Sequence, residues 1–169
     1  QQTHNGMKNK TISLLIALLF NLAAVHAQSN QGYYRFPAIN ANYIIFTAEG
    51  DLWKADIQGG VAQRLSTHHG QEIHPAISPD GTLIAFTAHY DGAAEVYTMP
   101  LTGGLPRRIT FNGEGSKVID WTDNERLLYA TRHFSTLPNS QLVKINVTSG
   151  KYEIIPLSQA SDGTYDASG

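Results

Sequence analysis

The amino-acid sequence repeats itself about every 44 residues. Gly59-Gly60, Gly103-Gly104 and Ser149-Gly150 recur at intervals of 44 and 46 residues, and Phe46, Phe86 and Tyr129 at 40 and 43. The first part of each unit is a short strand, a polar turn and an apolar strand. The copies are Pro37-Ala38-Ile39 with Tyr43 to Ala48, Pro75-Ala76-Ile77 with Leu83 to Ala88, and Ile119-Asp120-Trp121 with Arg126 to Thr131. The second part opens on a polar residue (Asp51, Glu95, Gln141) and alternates apolar and polar positions. It then meets the glycine pair and ends in a further apolar run, Val61 to Leu65, Leu105 to Ile109 or Lys151 to Ile155. Alternation with period 2 excludes the helical repeats of similar length, which need period 3.6. Four strands in a unit of about 40–45 residues define a propeller blade, a supersecondary unit that buries its faces only against its neighbours.

Each turn has a mechanism. Pro79-Asp80-Gly81 presets φ at proline and allows positive φ at glycine, which makes a tight hairpin. In the third copy Asp123-Asn124-Glu125 stands there, and Asn124 tolerates left-handed geometry. The aromatic residues at strand centres (Phe46, Trp53, Phe86, Tyr97, Trp121 and Tyr129) are expected to pack between blades. The expected fold class is therefore all-β: a partial β-propeller of about three four-stranded antiparallel blades, preceded by a signal-peptide helix.

The N-terminus reads as an address. After Met7 come Lys8 and Lys10, an apolar run from Ile12 to Phe20, and the small residues before Ala27. This is the pattern of a signal peptide over residues 7–27, with Gln28 the mature N-terminus and residues 1–6 upstream read-through or tag. The apolar run is too short, and too interrupted by Ser13 and Asn21, for a membrane span of ~20 residues, so no stable membrane anchor is expected. The whole chain has 12 Lys+Arg against 14 Asp+Glu, and no basic stripe of the kind nucleic acid requires. Zero cysteines exclude disulfides, thiolate metal sites and a cysteine nucleophile. Export without disulfides points to a periplasmic or secreted location in a bacterium.

The run Pro75-Ala76-Ile77-Ser78-Pro79-Asp80-Gly81, with Ile84-Ala85-Phe86, Glu95-Val96-Tyr97 and Gly103-Gly104, resembles the TolB-type (WD40-like, PD40) propeller repeat. Read with Tyr34 to Ile39, Glu49 to Trp53 and Gly59 to Leu65, the chain resembles the beginning of the N-terminal propeller of tricorn-like S41 serine peptidases. The resemblance implies an incomplete propeller over residues 28–169, with blades at about 33–66, 73–110 and 116–157 and the start of a fourth at 163–169. It further implies scaffolding and gating of peptide substrates on their way to a catalytic domain downstream. Peptides or a protein partner would pass or dock through the propeller channel, and the remaining blades and the catalytic domain of the same chain would be further partners. A TolB-like binding propeller without catalysis, or the propeller of a prolyl-oligopeptidase-type hydrolase, are the alternatives the repeat leaves open.

No residue is assigned a catalytic, cofactor or metal role. His68, His69 and His74, with Glu72 between them, are the one histidine cluster, and their spacing fits no closed zinc pattern. His74 is expected to hydrogen-bond a neighbouring blade, while His89 and His133 fall where loops emerge. Ser78 lies in a turn, not in a Gly-x-Ser-x-Gly elbow. Gly113-Glu114-Gly115-Ser116 precedes a strand and lacks the helix N-terminus that binds phosphate. Glu49, Asp51, Asp80 and Asp91 are expected in turns and at strand starts, and Arg107-Arg108 at a solvated edge with a rim salt bridge.

Overall fold

A computed structural model describes residues 33–164. The expected signal peptide at 7–27, residues 1–6 and the last five residues of the expected fourth blade lie outside the described residues. The structure contains three four-stranded antiparallel sheets, each a simple meander. The first holds β1 (Arg35–Ile39), β2 (Tyr43–Ala48), β3 (Asp51–Asp56) and β4 (Gln63–Arg64). The second holds β5 (Glu72–Ile77), β6 (Leu83–Ala88), β7 (Glu95–Pro100) and β8 (Arg107–Arg108). The third holds β9 (Ser116–Trp121), β10 (Arg126–Thr131), β11 (Gln141–Asn146) and β12 (Tyr152–Ile154).

The register repeats as the sequence does. Phe46 pairs with Trp53 and Phe86 with Tyr97, while Tyr129 pairs with Val143. The fourth strands are shorter than their apolar runs suggest: two, two and three residues. Gly59, Gly60, Gly103 and Gly104 all have positive φ. The chain therefore swings wide before rejoining the sheet, and Val61 and Leu105 are left exposed. Each first strand slips register once, between Arg35 and Ala38 in β1 and between Ile73 and Ala76 in β5. Pro37 and Pro75 lie at those slips and have no N–H for the ladder. The preceding residues, Phe36 and His74, both take a left-handed φ of 52°, uncommon for a side chain with a Cβ.

The sheets stack through alternating side chains. Ile45 and Leu52 of the first sheet meet Ile84, Phe86, Tyr97 and Met99 of the second. Ala85 and Val96, on the other face of the second sheet, meet Trp121, Leu127, Tyr129 and Val143 of the third. Burying each large side chain contributes roughly 1.5–3 kcal/mol, so these two interfaces carry most of the stability. Phe46 and Trp53 depart from the expectation for strand-centre aromatics. They are half-buried, because they lie on the face of the first sheet that meets no other sheet among the described residues.

Polar ties cross both interfaces. Trp121 Nε1–H donates to the Ala76 carbonyl at 3.0 Å. The Thr47 hydroxyl donates to the Glu72 carbonyl, and the Val118 N–H donates to the Thr87 hydroxyl, each at 2.9 Å. Asn124 does not take the left-handed φ expected of it. The Asp123 carboxylate closes that turn by accepting from the Glu125 and Arg126 N–H groups, while Asn124 accepts from the Asp80 N–H of the second sheet's turn at 3.0 Å.

Candidate functional site

Antiparallel order puts the turns after β2, β6 and β10 at one end of the sheets, together with the connections β4–β5 and β8–β9. Nearly all the chemistry-bearing residues singled out from the sequence lie there. At this end the third strands of the first two sheets begin on a buried polar residue, Asp51 or Glu95, and a buried hydroxyl, Ser66 or Thr110, follows two residues after each of their fourth strands. The hydroxyl oxygens accept the N–H groups of Leu52 and Val96, both at 2.9 Å, and so tie the short fourth strand to the third. The polar residue noted at the head of the third strand is thus part of a structural clasp in the first two sheets, whereas Gln141 at the head of β11 has a buried Oε1 with no hydrogen-bond partner.

Glu95 accepts from Arg108 at 3.2 Å, from the Gly113 N–H at 2.7 Å, from the Ser116 hydroxyl at 3.3 Å, and from Thr110. Arg108 is more than a rim residue: it also reaches the Thr110 carbonyl at 2.8 Å and lies over the Phe111 ring. Arg107 crosses to the third sheet and donates to the Val147 carbonyl at 2.5 Å. Sequence reading placed both arginines at a solvated edge, because the carbonyl and carboxylate they serve come from distant chain positions.

The histidines do not converge on a point. His68 Nδ1 accepts the Gly70 N–H at 2.9 Å, and its ring packs on His69 and Tyr90, with centroids 4.5 and 3.9 Å away. Glu72 turns away from them into the interior, where it is fully buried. His74 reaches the first sheet by its ring, 4.2 Å from that of Phe36, rather than by the hydrogen bond expected of it. Burial and the nearby Lys117 lower its pKa. His89 is exposed, and His133 Nδ1 lies 3.1 Å from the Asn112 carbonyl. Among the described residues no three His, Cys, Asp or Glu side chains gather where they could hold a metal ion. Glu49, Asp80 and Asp91 are exposed turn residues. Ser78 is spent within its own turn, donating to Asp80 at 2.6 Å and accepting from the Leu83 N–H at 2.9 Å. The Ser78 hydroxyl, with the Thr82 N–H, holds the Asp80 carboxyl below its usual pKa.

Several residues escaped sequence reading, among them Lys117 and Arg132 of the cleft between the second and third sheets, Tyr90, and Gly70. A Cβ on Gly70 would lie 2.1 Å from the His89 carbonyl oxygen, so only glycine lets the β4–β5 connection pass the β6–β7 turn. A lone glycine with ordinary φ gives no local signal of such an approach.

Between the second and third sheets this end opens into a cavity of about 330 Å³. Its polar walls include His74, His89, Glu114, Lys117, Arg132 and Ser140. Lys117 pairs with Asp162 at 3.1 Å, whereas the Arg132 guanidinium makes no ion pair among the described residues. A second cavity shares Glu114 and Arg132 and continues past His133 to Leu137 and Pro138. Charges of both signs beside the apolar Ile73, Ala94 and Ala130 suit a ligand that carries polar and apolar groups together.

Three stacked, meandering four-stranded sheets joined strand four to strand one are consecutive blades of a β-propeller, here with a cleft of mixed polar and apolar lining between the second and third. Residues 31–169 match the family described as the tricorn protease N-terminal beta propeller domain, and the chain belongs to that family. Tricorn protease homolog 1 of Streptomyces coelicolor is 43% identical over 97 residues, 57% of this chain and 9% of that protein. A tricorn-like protease N-terminal subunit of Sulfurisphaera tokodaii is 32% identical over 139 residues, 78% of this chain and 70% of that protein. Among solved structures, TolB from Acinetobacter baumannii superposes with a TM-score of 0.67 at 20% identity, over 82% of this chain and 36% of TolB. The tricorn protease crystal structure superposes with a TM-score of 0.62 at 20% identity, over 70% of this chain and 12% of that one. At such identities the structural matches speak for the fold alone.

Proposed function

We propose that these blades admit and orient peptides for a serine peptidase domain carried elsewhere in the same exported protein. The observation that carries this reading is the cleft between the second and third blades, in a chain that belongs to the tricorn N-terminal propeller family. Arg132 is the available cation there, and Glu114 and the Lys117–Asp162 pair supply both signs of charge beside it. A peptide offers matching chemistry: main-chain donors and acceptors, and a terminal carboxylate for a guanidinium to hold. No side chain in the cleft is arranged as a nucleophile with a base, so the blades' part is binding and passage.

Fluorescence anisotropy with labelled peptides of free and amidated C-terminus tests the idea. Binding of the free-carboxylate peptide is expected to exceed that of the amide, and Arg132→Ala to erase the difference. Equal binding of the two peptides to the unaltered chain would refute it. The basic and apolar segment ending at Ala27 supports export, and N-terminal sequencing of the protein from a periplasmic fraction is expected to begin at Gln28.

A further inference from the structure

The two junctions between successive blades follow one plan but differ by one buried carboxyl group. In each, the head of a third strand meets the head of the next first strand. At the second junction these are Glu95 and Ser116: one carboxylate faces one guanidinium, Arg108, and both its oxygens accept hydrogen bonds. At the first junction the same positions hold Asp51 and Glu72. Two carboxyl groups, 2% and 0% exposed, are then buried at one junction, and the guanidinium there, that of Arg64, pairs with Asp51 alone. Glu72 accepts from the Leu52 N–H at 3.2 Å and from the Ser66 and Tyr90 hydroxyls. Asp51 Oδ2 is taken by Arg64, while its buried Oδ1 has no hydrogen-bond partner. An uncompensated buried negative charge is costly, and one proton on the pair removes it; the orphaned Asp51 Oδ1 is a further cost of burial at the same place.

We propose that the first junction is a proton-operated latch, in which the Asp51–Glu72 pair holds one proton while the first and second blades are clasped and releases it to solvent when they part.

The groups facing the pair are few. β3 contributes Asp51 itself, β4 contributes Arg64, and the β4–β5 connection contributes His68 against Tyr90. The β6–β7 turn brings Tyr90, whose ring lies 4.6 Å from that of Tyr97 on β7. From β1, Arg35 lies over the Tyr33 and Phe36 rings, and on β9 Lys117 is bound to Asp162. Burial, with Asp51 adding to it, raises the Glu72 pKa above its ordinary 4.5. A folded value above the unfolded one means that the clasp is firmest below 4.5 and weakens as pH rises through the folded value. His74, further along β5, runs the other way: its lowered pKa gives a contribution present above 6.5 and lost as pH falls. The opposite slopes keep the two groups distinguishable.

Hydrogen exchange on the whole chain, corrected for intrinsic rates, supplies the test. Protection at Leu52 and Trp53 reports the first junction, and protection at Val96 and Tyr97 the second. As pH rises above about 5, the first is expected to lose protection relative to the second by up to about tenfold per pH unit, the slope of one proton, until the folded value of Glu72 is passed. Glu72→Gln imitates the protonated acid and is expected to flatten that slope, and Glu72→Ser, which copies Ser116, to do the same. His74→Asn is expected to leave it. Parallel profiles at the two junctions of the unaltered chain would overturn the latch even if neither Glu72 variant folds. So would a Glu72 variant that keeps the original slope.

Discussion

Replacing Trp121 by Phe tests whether the blades are held by ties between sheets rather than within them. Trp121 is 4% exposed, and its indole N–H donates to the Ala76 carbonyl of the preceding blade at 3.0 Å. Removing the donor leaves a buried carbonyl unsatisfied, which costs about 1–3 kcal/mol. The smaller ring leaves a void worth about 1–2 kcal/mol more, since the neighbours collapse only in part. The expected loss is therefore about 2–5 kcal/mol. Trp53 is the internal control: half-buried, it donates to the Ala48 carbonyl of its own sheet at 3.1 Å, where solvent can substitute. Trp53→Phe is expected to cost only about 0.5–1.5 kcal/mol. Urea unfolding of the full chain followed by far-UV circular dichroism measures both, provided the slope against urea stays constant between variants. A Trp53→Phe loss equal to or larger than that of Trp121→Phe would refute the reasoning.

Gly70→Ala forces a methyl group against the His89 carbonyl and is expected to cost about 1–3 kcal/mol through displacement of two backbone segments. An unchanged urea midpoint would show that the connection passes elsewhere. His74 has a folded pKa below its unfolded 6.5, so it favours unfolding as pH drops through that range. The stability gap between the unaltered chain and His74→Asn is thus expected to shift in the variant's favour between about pH 7 and 5, and identical pH profiles would remove His74 from the account.

Most of the architecture was legible in the sequence because a propeller is local. Each blade is a meander whose strands are neighbours in the chain, so Pro79-Asp80-Gly81 and the Gly-Gly pairs report the strand order directly. The fourth strands were overestimated for a related reason. Val61 and Leu105 read as strand residues by apolarity, but the glycines before them open the backbone at the outer edge, where nothing packs to restore it. Phe46 and Trp53 show the limit of pattern: the same alternation that buries Phe86 and Tyr97 leaves them half-buried, because burial depends on which sheet faces them.

The site was less legible. His68, His69, Glu72 and His74 are close in sequence, yet alternation and a left-handed residue send Glu72 to a buried clasp, His68 onto Tyr90 and His74 onto Phe36. Asp51 and Glu72, or Arg107 and Val147, come together only when one blade lies on the next. The sequence by itself determined the repeat, the strands, the turns and the family, all set by side-chain period and by the φ preferences of Pro and Gly. The tertiary structure alone decided which acids are buried side by side, which glycine has no room for a Cβ, and where a cleft stays open. Those depend on distances between blades, and no residue's own conformational preference encodes such a distance.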